Sequence, residues 1–252
     1  MQSMSIHNLG CYRFVPLTDL PQLRSTLRAY CKDLDLKGTI LLSPEGINCS
    51  LAGSEQSVET FARYFREHFV HETLDASEEK SLFKRTLSTK IPFRRMEVRL
   101  KKEIITTGLP TLKATTKGNM LPPIELKTWL DSGKKVLLLD TRNTYEVEAG
   151  TFEGAEDLHI DHFRHFANAV GQWHPDQKDT PVVMFCTGGI RCEKASTILT
   201  ELHGFKEVYQ LQGGILKYFE DCGSAHWKGD CFIFDERTLL KPDLSEQTPL
   251  PV

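Results

Sequence analysis

Pro181-Val-Val-Met-Phe-Cys186-Thr-Gly-Gly-Ile-Arg191-Cys-Glu-Lys-Ala-Ser196 reads as a strand, a short loop and the start of a helix. The continuous apolar run before Cys186 fits a parallel strand buried on both faces. Functional residues collect at the carboxyl ends of such strands. This one ends in a thiol that faces the unpaired N–H groups and positive dipole end of the next helix, and both lower a thiol pKa. Gly188 and Gly189 let the backbone curl, so the amides of Thr187, Gly188, Gly189 and Ile190 can surround one anion, and Arg191 adds a fixed positive charge. The cradle suits either a thiolate or an S–S⁻ persulfide on Cys186. Cys192, one helical turn on, is either a resolving thiol or a core residue.

Working outward, Val136 to Asp140 is a second apolar run that ends in polar chemistry, Asp140-Thr-Arg142-Asn143-Thr-Tyr-Glu146. Asp140 and Arg142 sit where they can organise loops near the thiol. Arg142 binds an anionic substrate, braces the cysteine loop, or forms a structural ion pair with Asp140, and Glu146 reads as structural. Strand and helix signals alternate from here on, which predicts an α/β domain with a mostly parallel sheet over residues 124–222 and a C-terminal extension over 223–252. The end of the chain, with Pro242, Pro249 and Pro251, reads as a loose tail.

The first hundred residues have a different rhythm. An apolar stretch from Cys11 to Leu17 leads to Thr18, Asp19 and Pro21, which are helix-start signals, and Leu20, Leu23, Leu27, Tyr30 and Leu34 then fall on one helical face. Gly38-Thr-Ile-Leu-Leu-Ser43 and a run ending at Gly53 flank the turn residues Ser43-Pro-Glu-Gly-Ile-Asn48 and read as two strands. Val58, Phe61, Ala62, Phe65 and Phe69 mark a second helix, and Phe93 to Leu100 is expected to return as a strand. The order β-α-β-β-α-β suggests a ferredoxin-like sandwich over residues 1–107. Between them, Gly108 to Pro123 is rich in breakers and is read as the linker.

At 252 residues the chain is long enough for two domains, and 40% apolar and 26% charged residues are ordinary for a folded soluble protein. The first twenty residues include Arg13 and Asp19 and hold no long apolar stretch, which predicts no secretory signal and no membrane span, hence a cytoplasmic address. Seven cysteines, an odd number, do not make a disulfide scaffold. No dinucleotide fingerprint is evident, and Cys222, His226 and Cys231 are too irregularly spaced to read as metal ligands, so neither a metal nor a bound cofactor is expected.

A net charge of −3 argues against nonspecific coating of nucleic acid. Yet Lys80 to Lys102 holds nine Lys or Arg residues, among them Arg85, Lys90, Arg94 and Arg95, against the single acid Glu97. Such a run can neutralise several phosphates, and Phe83 and Phe93, interleaved with it, are placed to stack on unpaired bases or to fill a core.

Asp140-x-Arg142, Gly154-Ala155, the Cys186 loop and Val208-Tyr-Gln-Leu-Gln-Gly-Gly-Ile215 together resemble the rhodanese superfamily over residues 122–222. Leu42-Ser-Pro-Glu-Gly-Ile-Asn48, Cys186 to Ala195 and Cys231-Phe-Ile-Phe-Asp-Glu-Arg237 resemble, more narrowly, the bacterial tRNA uridine hydroxylases. The resemblance implies an N-terminal ferredoxin-like (acylphosphatase-like) domain and a catalytic rhodanese-like domain, with Cys186 as active-site cysteine. It implies tRNA as partner, conversion of the wobble uridine to 5-hydroxyuridine, dioxygen as co-substrate and a reductant that the sequence does not identify. Cys49 stands where the family pattern has glycine. The expected chemistry is addition of Cys186 to carbon 6 of uracil, which leaves carbon 5 enolate-like and reactive toward oxygen; a persulfide is the alternative working species. Rival functions are a thiosulfate or persulfide sulfurtransferase, a phosphatase, and a catalytically silent RNA-binding or partner-binding module. The phosphatases of this fold use five residues between Cys and Arg, where this loop has only Thr187 to Ile190.

Overall fold

The computed structural model describes residues 5–109, 112, 114, 119–173 and 178–247. It divides into two compact units, one of residues 1–104 with Phe234–Thr238, the other of residues 105–233 with 239–252. Much of the stretch read as linker, and residues 248–252 of the expected tail, lie outside the described residues.

The first unit runs β1 (Ile6–Phe14), α1 (Leu20–Asp33), β2 (Lys37–Ser43), β3 (Gly46–Gly53), α2 (Glu55–Phe69), α3 (Ala76–Leu82), β4 (Lys84–Ser88) and β5 (Met96–Leu100). Its sheet has the order β4-β1-β3-β2-β5, antiparallel except that β5 lies parallel to β2. The first four of those strands make the ferredoxin-like sandwich. Both helices form for the reasons the sequence gives: Asp19 caps α1 by accepting from the Gln22 N–H, and the five apolar residues expected along α2 are all buried.

The closing strand of the sandwich is Lys84–Ser88, however, and the expected strand at 93–100 is an added fifth strand on the opposite edge. Thr86 and Ser88 face inward on β4, where the Asn8 side-chain amide donates to the Thr86 carbonyl (3.3 Å) and to Ser88 Oγ (2.9 Å). A strand whose inner face is polar shows no apolar alternation, so its periodicity is hidden. Cys49 lies directly opposite Cys11 and is buried in this core with Cys31.

The second unit runs β6 (Asn119–Leu121), α4 (Pro123–Asp131), β7 (Leu137–Asp140), α5 (Thr144–Ala149), β8 (Gly150–Phe152), β9 (Glu156–Asp157), α6 (Phe166–Val170), β10 (Val182–Phe185), α7 (Ile190–Thr197), β11 (Val208–Leu211), α8 (Gly214–Cys222), β12 (Trp227–Gly229), β13 (Cys231–Phe232) and β14 (Leu239–Leu240). Its main sheet has the order β6-β11-β10-β7-β9, and every pairing is parallel. Residues 119–121, expected as linker, form the edge strand β6; three residues are too few to show a period. The expected C-terminal extension is also part of this unit, because β12 pairs with β8 and β13 with β14. An antiparallel bridge pairs Leu240 with Glu246, the latter within the stretch expected as tail.

Burial on both faces is visible along β10. Val183 and Phe185 pack on one side with Phe152, Tyr218 and Trp227, while Val182, Met184 and Cys186 pack on the other with Phe166, Cys192 and Ile198. Cys186 therefore leaves the strand pointing toward α7.

Candidate active site

Cys186 follows the last residue of β10 and is 1% exposed. Gly189, at φ +96°, turns the loop into α7, and its N–H donates to Cys186 Sγ at 3.1 Å. That backbone angle is costly for any residue with a side chain. Burial alone would raise the thiol pKa. A hydrogen bond from the Cys192 thiol, the charge of Arg191 and the backbone N–H groups of Arg191 and Gly189 outweigh it and bring Cys186 from 9.0 down to about 5. Cys192 pays the converse: burial and the neighbouring Cys186 sulfur push it well up. Cys192 is therefore the protonated partner of an ionised Cys186. Its own surroundings include Thr141 Oγ1 at 3.8 Å, and that hydroxyl also donates to the Phe185 carbonyl at 3.0 Å.

A second helix braces the loop from behind. The N–H groups of Ile215 and Leu216, in the first turn of α8, donate to the carbonyls of Cys186 (3.0 Å) and Thr187 (3.2 Å). The unpaired donors of one helix N-terminus thus hold the acceptors of the cysteine loop, leaving its N–H groups to face the sulfur. Gly214, at φ +70°, is the residue of closest approach; a Cβ there would lie 2.5 Å from the Cys186 carbonyl oxygen. This accounts for the Gln-Gly-Gly-Ile stretch after β11.

Arg191 and Arg142 both turn inward. The Arg191 guanidinium makes a bidentate pair with Glu146, at 2.6 and 2.7 Å, and Glu146 is fully buried and also accepts the Asn143 N–H at 3.1 Å. Arg142 is fully buried against Asp140, with Nε and Nη2 both bonded to the carboxylate, and Nη2 also donates to the Gly150 carbonyl. Thr151 Oγ1 completes the shell of Asp140 at 2.8 Å. Of the readings open for Arg142, the structure shows the ion pair: the guanidinium is buried and bonded to Asp140. Glu146, read as structural from the sequence, is the residue that aims Arg191. Its signal was weak because its partner lies 45 residues away in the chain.

The remaining expected site residues separate. Thr187, Gly188 and Ile190 are half-buried along the loop, and Thr187 Oγ1 donates to the Phe232 carbonyl at 3.3 Å. Cys231 is buried beside Arg142, and burial holds its thiol up at about 12. Among the described residues no group of three His, Cys, Asp or Glu side chains is placed to hold a metal ion.

The basic run belongs to the first unit, where β4 and β5 are opposite edges of the sheet. Arg85 lies on β4, paired with Glu59 at 2.8 and 2.9 Å. Lys90, Arg94 and Arg95 lie in the segment between the two edges, with Arg94 bonded to Glu236 and Arg95 to Glu97. The Arg94 and Arg95 side chains remain 92% and 78% exposed. Phe83 is partly buried, packed edge-on against Phe65 of the core and with the Arg85 guanidinium over its ring. Arg237 of the third motif is likewise set in this unit, held by Asp235 and donating to Thr86 Oγ1 at 2.9 Å. No helix among the described residues is long and apolar enough to cross a membrane.

Residues 6–104 match the family model described as UPF0176 acylphosphatase like domain, and residues 122–221 match the rhodanese-like domain. A Burkholderia lata protein named tRNA uridine(34) hydroxylase is 47% identical over 248 residues, spanning 96% of this chain and 86% of the relative. A Burkholderia thailandensis protein of the same name is 47% identical over 251 residues, spanning 96% and 82%. Among solved structures, the rhodanese-like domain of an Anabaena protein superimposes with a TM-score of 0.37 at 20% identity, covering 45% of this chain and 80% of its own. On the identity and coverage of its curated relatives, the chain belongs to the tRNA uridine(34) hydroxylase family.

Proposed function

We propose that this protein hydroxylates carbon 5 of uridine 34 in tRNA, using dioxygen and an external reductant, with Cys186 as the nucleophile. The observation that carries the reading is the ionised, amide-cradled Cys186 in a chain nearly half identical to proteins named for this reaction. A thiolate adds to carbon 6 of uracil and moves electron density to carbon 5. Carbon 5 attacks dioxygen to give a hydroperoxide, and two electrons and two protons from the reductant convert this to the alcohol and water. Loss of the carbon 5 proton then expels Cys186 as thiolate and restores the aromatic ring. A sulfur held by three hydrogen bonds is a good leaving group for that last step.

Arg191, aimed by Glu146, holds negative charge on the sulfur. Arg85, Lys90, Arg94 and Arg95 supply phosphate contacts, the salt-dependent part of RNA affinity. The protein then acts in the cytoplasm on tRNA.

The test is mass spectrometry of tRNA nucleosides from cells lacking the gene, complemented with wild type or Cys186→Ser. Wild type alone restores 5-hydroxyuridine and its derivatives if the reading holds. Restoration by neither, together with committed sulfur transfer from thiosulfate to cyanide, replaces it with the sulfurtransferase.

A further inference from the structure

One aromatic pair at the cysteine loop has no part in the chemistry above. Tyr145, in the first turn of α5, is 45% exposed. Its ring meets the Phe232 ring at 5.1 Å and 77°, an edge-to-face contact that leaves much of the tyrosine open. An exposed tyrosine on a short helix is normally free to swing, but this one is anchored at both ends. At one end, the carbonyl of Phe232 accepts from Thr187 Oγ1, so the pair is fastened to the residue that follows Cys186. At the other, the Tyr145 hydroxyl accepts from Asn143 Nδ2 at 3.1 Å, and the Asn143 N–H donates to the same Glu146 carboxylate that holds Arg191. Two separate routes, one through the ring contact with Phe232 and one through hydrogen bonds alone, therefore tie this ring to the two residues, Thr187 and Arg191, that flank the reactive loop.

The chemistry of the site sets what such a ring would meet. Cys186 is enclosed, so a base reaches the sulfur only when it is unstacked from its neighbours and inserted edge-first. A base that leaves its stack needs a replacement surface, and proteins that read single-stranded RNA supply it with aromatic faces. We propose that Tyr145, backed by Phe232, is the stacking platform that holds the target pyrimidine at the mouth of the Cys186 loop. Its hydroxyl, which accepts from Asn143, retains a proton to donate to a base carbonyl. This rests on the reading that a uracil base is brought to Cys186.

The test uses the full chain and a synthetic anticodon stem-loop with either uridine or an abasic ribose at position 34. In the Cys186→Ser background, which binds without turnover, Tyr145 intact favours uridine over the abasic loop. Tyr145→Ala removes that preference, a loss of about tenfold or more in affinity for the uridine loop alone. Tyr145→Phe and Tyr145→Trp, which keep an aromatic face but lose the hydroxyl, retain most of it. In the Cys186-containing protein, Tyr145→Ala raises KM by a similar factor with a smaller change in kcat. Unchanged melting of Tyr145→Ala separates a binding loss from unfolding. If the uridine and abasic loops bind equally while Tyr145 is present, or Tyr145→Ala keeps the preference, the platform is overturned. Hydroxylation that survives Cys186→Ser would instead remove the parent reading.

Discussion

Gly214→Ala tests whether the α8 brace shapes the thiol. The added methyl would lie 2.5 Å from the Cys186 carbonyl oxygen and 2.8 Å from both the Gly189 nitrogen and the Thr187 carbonyl oxygen, all backbone atoms that cannot rotate away. The cysteine loop must therefore retreat from α8. Retreat breaks the bonds from Ile215 and Leu216, at about 1 kcal/mol each, and alanine at φ +70° adds about 1 kcal/mol of left-handed strain. About 3 kcal/mol is expected, which for a chain of this length lowers the melting temperature by about 6 to 12 °C. Gly204 is the control, since it has nearly the same φ, +71°, and no atom within 4 Å of its would-be Cβ. Gly204→Ala should cost only the strain, about 1 kcal/mol. The second readout is the ultraviolet absorbance of the Cys186 thiolate against pH, with Cys186→Ser as blank. A displaced loop moves the Gly189 N–H from the sulfur, so the midpoint should rise in Gly214→Ala and stay put in Gly204→Ala. Equal melting losses in the two variants, with the same titration as wild type, would refute the brace.

Three further outcomes are expected. In wild type the Cys186 titration should have its midpoint near pH 5, and one close to 9.0 would show that the cradle fails to hold the thiolate. Because the folded-state pKa is depressed, the ionised thiol stabilises the folded chain above the unfolded thiol's pKa, and this contribution disappears as pH falls toward 5. The melting-temperature advantage of wild type over Cys186→Ser should shrink along that interval. Glu146→Gln leaves Arg191 buried without its carboxylate and should cost about 3 to 5 kcal/mol in chemical denaturation. It should also lower the Cys186 midpoint further, since the guanidinium then faces the sulfur uncompensated; an unmoved midpoint would mean that the sulfur does not feel Arg191. Arg94→Ala and Arg95→Ala should each weaken tRNA binding regardless of sequence and reduce the slope of log affinity against log salt by about one. A slope unchanged in both would take the phosphate contacts elsewhere.

What could be read in advance divides by the range of the interaction. β7 and β10 were legible because burial on both faces writes a continuous apolar run, and the cysteine loop was legible because Gly188 and Gly189 have no other use beside a strand-end thiol. The helix stripes of α1 and α2 were local for the same reason. β4 was not, since its inner face is Thr86 and Ser88 and only Asn8, on another strand, satisfies them. α3 was missed although Asp75 and Glu78 form a capping box at its start, because seven residues are too few to establish a helical period. The basic run misleads in a different way: residues adjacent in sequence lie on both edges of the sheet and in the turn between them. Arg142 as an ion pair, Glu146 as the partner of Arg191 and Gly214 as the point of closest approach all depend on distant contacts, which no local pattern records.

The charge balance of the site bears on which chemistry it supports. Arg142 with Asp140, and Arg191 with Glu146, are two buried pairs with no net charge, so the Cys186 thiolate is not held by a surplus cation. It is held by the thiol of Cys192, by the charge of an Arg191 already paired to Glu146, and by the fixed dipoles of the Arg191 and Gly189 N–H groups. Dipoles attached to a rigid backbone need no reorganisation when charge returns to the sulfur, which is what a group that must both attack and leave requires. A phosphatase needs something else from the same loop. Its arginine has to turn a guanidinium edge to two phosphate oxygens, and here both terminal nitrogens of Arg191 already donate to the buried Glu146 carboxylate. A tetrahedral dianion that took that edge would have to displace a buried bidentate carboxylate. The arrangement therefore disfavours phosphate at the site while leaving a single sulfur anion well provided for. Wild-type protein should show no Cys186-dependent turnover of an aryl phosphate, and measurable turnover would mean that the Arg191–Glu146 pair opens far more readily than its burial implies.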